Sequence, residues 1–152
     1  MAKRNIFRGL AAVLALGMCM TGLAGCGSEK RADGKTEIEV VSYKPEAVKA
    51  FEKIEKRFNE THDDINLTIS SPNEAMTILK TRFIREDYPD IIAIGGDINY
   101  SNFLDADLFE DISGLDEVQT VKQAYLDMDK ELEFIPKDGT YALPYVANAA
   151  GI

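Results

Sequence analysis

The chain has 152 residues, of which 45% are hydrophobic, which is enough for one domain with a hydrophobic core but short for two. Acidic residues number 26 against 17 basic ones, and the formal net charge is -9. Such a surface repels phosphate backbones and anionic lipid headgroups, which argues against nucleic-acid binding and leaves neutral or cationic ligands as candidates.

The first 25 residues have the pattern of an export signal. Lys3, Arg4 and Arg8 precede an apolar stretch from Gly9 to Ala24, and small residues follow it, as in secretory signal peptides. A transmembrane anchor is the alternative, but the stretch is interrupted by glycines and is shorter than the ~20 apolar residues that normally cross the hydrocarbon core. We therefore predict that residues 1–25 are a signal peptide.

The sequence LAGC, Leu23 to Cys26, closely resembles the lipobox of bacterial lipoproteins, in which the cysteine receives a diacylglycerol and becomes the first mature residue. A disulfide is the alternative use of this thiol, but the other cysteine, Cys19, lies inside the predicted signal. We predict that Cys26 anchors the exported protein to the outer face of the bacterial cytoplasmic membrane. Residues 26–36 are polar and rich in glycine and charge, which favours a flexible tether.

From residue 37 onward, predicted strands and helices alternate. Strands are predicted over EIEVVSY (37–43), INLTI (65–69) and DIIAI (90–94), where β-branched and apolar residues dominate. The third is a nearly continuous apolar run, typical of a strand covered on both faces. Helices are predicted after Pro45 and from Ser71, which would cap the second helix. This order predicts an α/β fold with a mostly parallel sheet flanked by helices.

The chain beyond Asp97 gives a coarser pattern. NYSNFLDADLFEDI predicts a short helix and a turn, and DEVQTVKQAYLDMDK predicts one helix with Val118, Val121, Tyr125 and Met128 on a common face. An Asp138-Gly139 turn is predicted to enter a strand near Tyr141 to Leu143. The last residues, ANAAGI, carry no terminating signal, so we expect a truncation within a folded element.

The third predicted strand ends in Gly95, Gly96 and Asp97. Ligands of open parallel sheets bind at the carboxyl ends of strands. Glycines allow the backbone to approach a ligand closely there, and a carboxylate accepts hydrogen bonds from hydroxyl or amine donors. The alternative is a tight connection in which Asp97 caps the following helix. The triplet by itself leaves both interpretations open.

Four segments are similar, in order and spacing, to the first lobe of family 1 extracellular solute-binding proteins, the sugar-capturing lipoproteins of ABC importers. They are FEKIEKRFNETHDDINLTI, LKTRFIREDYPDIIAIGGD, LFEDISGL and GTYALPYVANAAGI. The resemblance covers residues 37–152 and implies the N-terminal lobe of a periplasmic-binding-protein-like (type II) fold, cut before the second lobe. It also implies a carbohydrate ligand, an ABC permease as partner, no cofactor, no metal and no enzymatic activity.

The resemblance further implies which residues contact the sugar, because the family's contacts come from the loops after successive strands. These positions fall on Ser42 and Tyr43, on Pro72 and Asn73, on Gly96 and Asp97, and on Tyr145 after YALP. Many members stack a tryptophan on the sugar, and this chain has no tryptophan. Tyr43, Tyr100 or Tyr145 would have to supply that aromatic face.

Two other functional classes stay open. A carboxylate-dependent enzyme acting on glycosides would bring a titratable pair into one cleft, drawn from Asp97, Asp105, Asp107 and Asp111. A lipoprotein adhesin or sensor that binds a protein partner would expose an apolar patch away from the strand ends. His62, in ETHDD, is predicted to lie in a solvated turn rather than to act as a catalytic base.

Overall fold

The computed structural model describes residues 34–146, so the predicted signal peptide, Cys19, Cys26 and the final ANAAGI segment from Ala147 lie outside the described residues. The described strands are β1 (Thr36–Ser42), β2 (Ile65–Ser70) and β3 (Ile91–Ala93). The α-helices are α1 (Val48–Thr61), α2 (Ala75–Ile84), α3 (Ile98–Asp105) and α4 (Gln123–Glu131). Short 3-10 helices cover Pro45–Ala47, which runs into α1, and Asp116–Thr120.

The three strands form one parallel sheet in the order β2-β1-β3. β1 is central, pairing with β2 from Thr36 opposite Ile65 to Val41 opposite Ser70, and with β3 from Val40 opposite Ile91 to Ser42 opposite Ala93. Each connection between paired strands contains a helix, as parallel pairing requires. The predicted α/β fold with a parallel sheet is therefore confirmed.

Helix α1 covers the outer edge of β2 with polar side chains. The Asn59 amide donates to the Leu67 carbonyl at 2.8 Å and accepts from the Leu67 N–H at 2.7 Å. The Ile69 N–H donates to Glu55 at 2.8 Å. Since β2 is an outer strand of the described sheet, these bonds satisfy backbone groups that no strand within residues 34–146 reaches, and they protect that edge from unwanted pairing.

The core lies between the sheet and helices α2 and α3. Val41 of β1, Leu79 of α2 and Leu104 of α3 are almost completely buried. The ring of Phe83 meets that of Phe103 edge-on at 5.0 Å between centroids, an arrangement that aromatic pairs prefer. These contacts fix α3, and hence the loop that precedes it, against the rest of the domain.

Three local predictions about the elements are wrong. Helix α2 begins at Ala75 rather than after a Ser71 cap, because the Ser71 hydroxyl donates to the Ser42 carbonyl instead, at 3.3 Å. The predicted helix over residues 116–130 is two helices, since Val121 and Lys122 have extended backbone angles. No strand forms near Tyr141 to Leu143 within the described segment that ends at Val146.

Strand β3 also differs from its prediction. It lies at the edge of the described sheet, and Ile91 is 51% exposed, so this strand is not covered on both faces. An apolar run alone does not distinguish a central strand from an edge strand, because the position in the sheet is set by pairing partners elsewhere in the chain.

Among the described residues, no helix is long and apolar enough to span a bilayer.

Candidate functional site

The carboxyl ends of β1, β2 and β3 share one edge of the sheet because all three strands are parallel. Hydrogen bonds join the loops that follow them. The Tyr43 N–H donates to the Ala93 carbonyl at 3.1 Å, linking the first loop to the third strand. The Ser71 hydroxyl links the second loop to Ser42. We call this edge, formed by residues 42–44, 71–74 and 94–97, the strand-end surface.

Tyr43 lies at the centre of the strand-end surface. A Cβ atom placed on Gly95 would stand 2.9 Å from the Tyr43 hydroxyl and 3.3 Å from its Cζ, so the absence of a side chain at Gly95 makes room for this ring. Tyr43 also lines a shallow cavity of about 170 Å³ together with Asn73 and residues 74–77. The structure thus brings together two of the residues predicted to contact a ligand.

Lys44 is a residue of this surface that the sequence analysis did not select. Its ammonium group lies 4.8 Å from the centre of the Tyr43 ring, within the range of a cation-π contact. Hydrogen bonding with the Tyr43 side chain raises the pKa of Lys44, and Tyr145 adds a smaller electrostatic contribution. Its position directly after a strand and an aromatic residue is the signal that could have identified it.

Tyr145 is the most exposed aromatic candidate, with 59% of its surface accessible. The Tyr43 ring is half-buried and therefore held in place, whereas the Tyr145 ring is exposed to solvent. An aromatic face of this kind packs well against the C–H side of a pyranose.

Asp97 is both exposed and engaged as a helix cap. Its Oδ1 accepts from the Asn99 N–H at 2.8 Å and from the Asn99 side-chain amide at 3.0 Å, so the capping alternative describes this oxygen. Within residues 34–146, Oδ2 accepts no hydrogen bond from the protein. The carboxylate can therefore cap α3 with one oxygen and accept a ligand hydroxyl with the other.

The neighbouring glycine has a packing role. A Cβ atom on Gly96 would lie 2.9 Å from a methyl group of Leu132, which follows α4. The Ser101 hydroxyl donates to the Leu132 carbonyl at 2.5 Å, so α3 and the end of α4 meet beside this loop. The absence of a side chain at Gly96 lets Leu132 approach the backbone, and the surface of Gly96 itself remains exposed.

Two other candidates lie in the interior. Ser42 is 0% exposed, and its hydroxyl accepts from the Lys44 N–H at 3.2 Å. Tyr100 is 5% exposed and stacks on Phe109 with 5.6 Å between ring centres, and burial raises its pKa to about 12. Neither side chain is available on the strand-end surface, because each position packs toward the core.

The acids considered for glycoside chemistry differ in their surroundings. Within residues 34–146, Oδ1 of Asp105 is buried without a hydrogen-bond partner. Asp111 accepts from the Thr140 N–H and from Ser113, and Asp107 pairs with Lys137. The His62 ring stacks on Phe58 at 3.9 Å. Nowhere in the described part of the chain do three acidic, histidine or cysteine side chains gather as a potential metal site.

Residues 37–152 match the family described as bacterial extracellular solute-binding proteins. The chain belongs to this family. The resemblance noted in its sequence is thereby confirmed. The parallel sheet is accordingly part of a solute-binding protein fold.

Sequence and structure comparisons give more specific relatives of this solute-binding protein. A multiple sugar-binding protein of Streptococcus mutans is 28% identical over 141 residues, which are 90% of this chain and 32% of the relative. Apo RafE from Streptococcus pneumoniae superposes with a TM-score of 0.57 at 28% identity, covering 64% of this chain and 25% of RafE. RafE in complex with raffinose gives a TM-score of 0.57 at 29% identity, covering 62% and 25%. The chain therefore spans about a quarter to a third of these relatives.

Proposed function

We propose that this chain contributes a sugar-binding wall to an exported bacterial lipoprotein that delivers its ligand to an ABC importer. The observation that carries the proposal is the strand-end surface, where Tyr43 and the open oxygen of Asp97 lie at one edge of the sheet. The exposed ring of Tyr145 is a further candidate contact. Aromatic faces and a carboxylate are the groups that recognise the C–H face and the hydroxyls of a sugar. Relatives that bind several sugars or raffinose support the ligand class.

The shape of the surface bears on how a sugar would be held. The cavity beside Tyr43 measures about 170 Å³, less than the ~300–1,000 Å³ of typical small-molecule sites. We expect the strand-end surface to serve as one wall of a cleft that closes over the sugar, the other wall coming from a second lobe of the solute-binding fold. Closure of this kind excludes water and strengthens the hydrogen bonds to the hydroxyls.

A calorimetric titration with raffinose and a panel of mono- and oligosaccharides tests the assignment, carried out on a protein that contains this lobe together with the second lobe of the fold. We expect saturable binding of at least one sugar, and a loss of about tenfold or more in affinity for Tyr43→Ala, since aromatic side chains are typical hot spots of binding sites. Lys49→Ala, in the exposed first turn of α1, is the control and should bind like wild type. A panel without any saturable binding would contradict the sugar assignment.

The lipid anchor is a separate part of the proposal, and it rests on LAGC at the end of an apolar segment. We propose that export cleaves the chain before Cys26 and leaves a lipid on its sulfur. Intact-mass measurement of membrane-extracted protein, wild type beside Cys26→Ala, tests this. Wild-type protein that retains residues 1–25 and carries no lipid would refute the anchor without affecting the sugar site.

A protein-binding lipoprotein is the second candidate, favoured by apolar side chains around the edge strand. Ile84, Tyr88 and Ile91 are all largely exposed near β3. An exposed apolar group of this kind is typical of an interaction surface. The two candidates make different predictions, because substitutions of Tyr88 and Ile91 by serine would abolish partner binding in an adhesin and leave sugar affinity unchanged in a solute receptor.

The glycoside-active enzyme has less support. Asp107 and Asp111 are committed to Lys137, Ser113 and Thr140. Asp129 of α4 and Glu133, just after α4, line one cleft. Glu133 is paired there with Lys130 at 2.9 Å. Only Asp129 offers an open oxygen there, whereas glycoside hydrolysis requires two cooperating carboxyl groups.

A further inference from the structure

A second cleft lies between α3, the 3-10 helix Asp116–Thr120, α4 and the segment 140–142. It encloses about 460 Å³, within the range of small-molecule sites. None of its lining residues belongs to the strand-end surface. We call it the α4 cleft, and its polar lining includes Tyr100, Gln119, Gln123, Asp129, Glu133 and Thr140.

Asp129 is the unusual group of the α4 cleft. Its Oδ2 is buried and accepts no hydrogen bond within the described residues. Burial raises the pKa of Asp129 to about 6. A buried carboxylate oxygen without a donor is costly unless a bound molecule supplies one.

Lys130, the next residue in the chain, does not form an ion pair with Asp129. The Lys130 ammonium group pairs with Glu133 at 2.9 Å and donates to the Lys137 carbonyl at 2.6 Å. The Glu133 side chain is 3% exposed and also accepts from the Lys137 N–H at 2.9 Å. Lys130 and Glu133 therefore neutralise each other, and the negative charge of Asp129 remains for a ligand.

The rest of the cleft offers neutral polar groups and aromatic surface. The Tyr100 hydroxyl makes no hydrogen bond within residues 34–146, whereas the Tyr141 hydroxyl donates to the Asp138 carbonyl at 2.8 Å. Gln123 donates to Asp127 through its amide nitrogen at 2.8 Å, which leaves its amide oxygen as an acceptor. Such groups suit a ligand that carries several hydroxyls as well as its charge.

We propose that the α4 cleft is a second ligand site, which binds a small hydroxylated organic cation whose ammonium group pairs with Asp129. A metal ion is a poor alternative, because the residues from 34 to 146 bring no three acidic, histidine or cysteine groups together. The ammonium group supplies the missing donor to Oδ2, and the hydroxyls bond to Gln119, Gln123 and Thr140. This site is independent of the strand-end surface and of the sugar transport proposed for it.

The test compares glucosamine with glucose, which differ by an ammonium group in place of a hydroxyl. In calorimetric titrations of the whole chain at pH 7, we expect glucosamine to bind about tenfold or more tightly than glucose, since charge-assisted hydrogen bonds are the stronger ones. Asp129→Asn should remove this preference. Glu131→Gln, on the exposed side of the same helix, should retain it.

Amide chemical shifts of the wild-type protein give a second measurement that needs no variant. Glucosamine should perturb the amides of residues 119, 123, 129 and 140 before those of residues 43 and 97. Equal affinity for both sugars, a preference that survives Asp129→Asn, or shifts confined to the strand-end surface would each overturn the proposal. Circular dichroism of Asp129→Asn verifies that any loss of the preference is not a loss of fold.

Discussion

The Tyr43 hydroxyl occupies the space where a side chain on Gly95 would stand, 2.9 Å from the position of its Cβ. Two loops that are far apart in sequence are therefore matched in shape. The backbone bond from the Tyr43 N–H to the Ala93 carbonyl at 3.1 Å holds them in register. A glycine whose role was ambiguous in the sequence is thus explained by a ring more than fifty positions earlier in the chain.

Gly95→Ala should reduce sugar affinity more than stability. The added methyl group displaces the Tyr43 ring, and since a hydroxyl at the end of a side chain can move, we expect less than about 1 kcal/mol of destabilisation. Sugar affinity should fall about tenfold if Tyr43 supports the ligand. Gly114→Ala is the matched control, because nothing lies within 4 Å of its added Cβ. If Gly95→Ala and Gly114→Ala bind the sugar with equal affinity, Tyr43 does not contribute to sugar binding.

Two substitutions of Asp97 distinguish its role as a helix cap from its proposed role in sugar binding. Asp97→Asn keeps a good helix cap and removes the charge, so it should leave the melting temperature unchanged and weaken sugar binding roughly ten- to a hundredfold. Asp97→Ala should in addition lower stability by about 1 kcal/mol, because the Asn99 N–H loses its acceptor. Calorimetry and thermal unfolding of both variants provide the comparison. Intact affinity in Asp97→Asn would leave Asp97 with the capping role alone.

Tyr145→Ala should weaken sugar binding without a change in stability. The ring is 59% exposed, so its removal leaves no cavity in the core, whereas a stacked sugar would lose an aromatic face. His62→Ala is the control, because His62 stacks on Phe58, away from the strand ends. If both variants bind sugar like wild type, Tyr145 lies outside the site.

Arg82 should contribute to stability through paired hydrogen bonds. It donates two bonds to Glu39 at 2.8 and 2.7 Å and two to Asp87 at 3.0 and 2.9 Å, joining α2 to β1 and to the turn before β3. Arg82→Lys should cost about 1 kcal/mol in urea unfolding, because an ammonium group cannot reproduce the fork. Lys56→Ala, which breaks an exposed pair of 3.8 Å with Glu60, should have almost no effect. Equal costs would argue against a structural role for the Arg82 network.

The pH dependence of stability should reveal Asp129. Its folded-state pKa is raised from 3.8 to about 6 by burial, so ionisation above pH 6 penalises the folded state, and the penalty is relieved as the pH falls toward 4. Asp129→Asn should therefore be more stable than wild type by about 1 kcal/mol at pH 7.5. The difference should vanish near pH 4. A difference that is constant with pH would contradict a perturbed Asp129.

The sheet and its helices could be predicted because the signals were local. The apolar alternation at Ile65, Leu67 and Ile69 predicted β2, and the three- and four-residue spacing after Pro45 predicted α1. Pairing partners are not local. The exposed edge position of Ile91 and the use of Ser71 to bond Ser42 depend on segments about thirty or more residues away, which no short pattern reports.

The candidate site was predictable to a similar degree. The loops after the strands were found from their order in the chain, and Tyr43 and Asn73 do line one cavity. Whether a side chain in such a loop faces solvent or core was not predictable, as the buried Ser42 and Tyr100 illustrate. The α4 cleft was missed because it requires Asp129 and Glu133 to meet Tyr100 and Thr140, residues whose proximity only the folded chain creates.

The unequal pairing of the central strand has a consequence for the order in which the sheet opens. β1 shares six paired positions with β2 but three with β3, so β3 should exchange its amide hydrogens first as the domain breathes. The loop that carries Asp97 is attached to this least protected strand. A sugar that contacts both Tyr43 and Asp97 would therefore stabilise the weaker pairing between β1 and β3. Slower hydrogen exchange at the Tyr43 N–H after addition of the sugar would then report that the site is occupied.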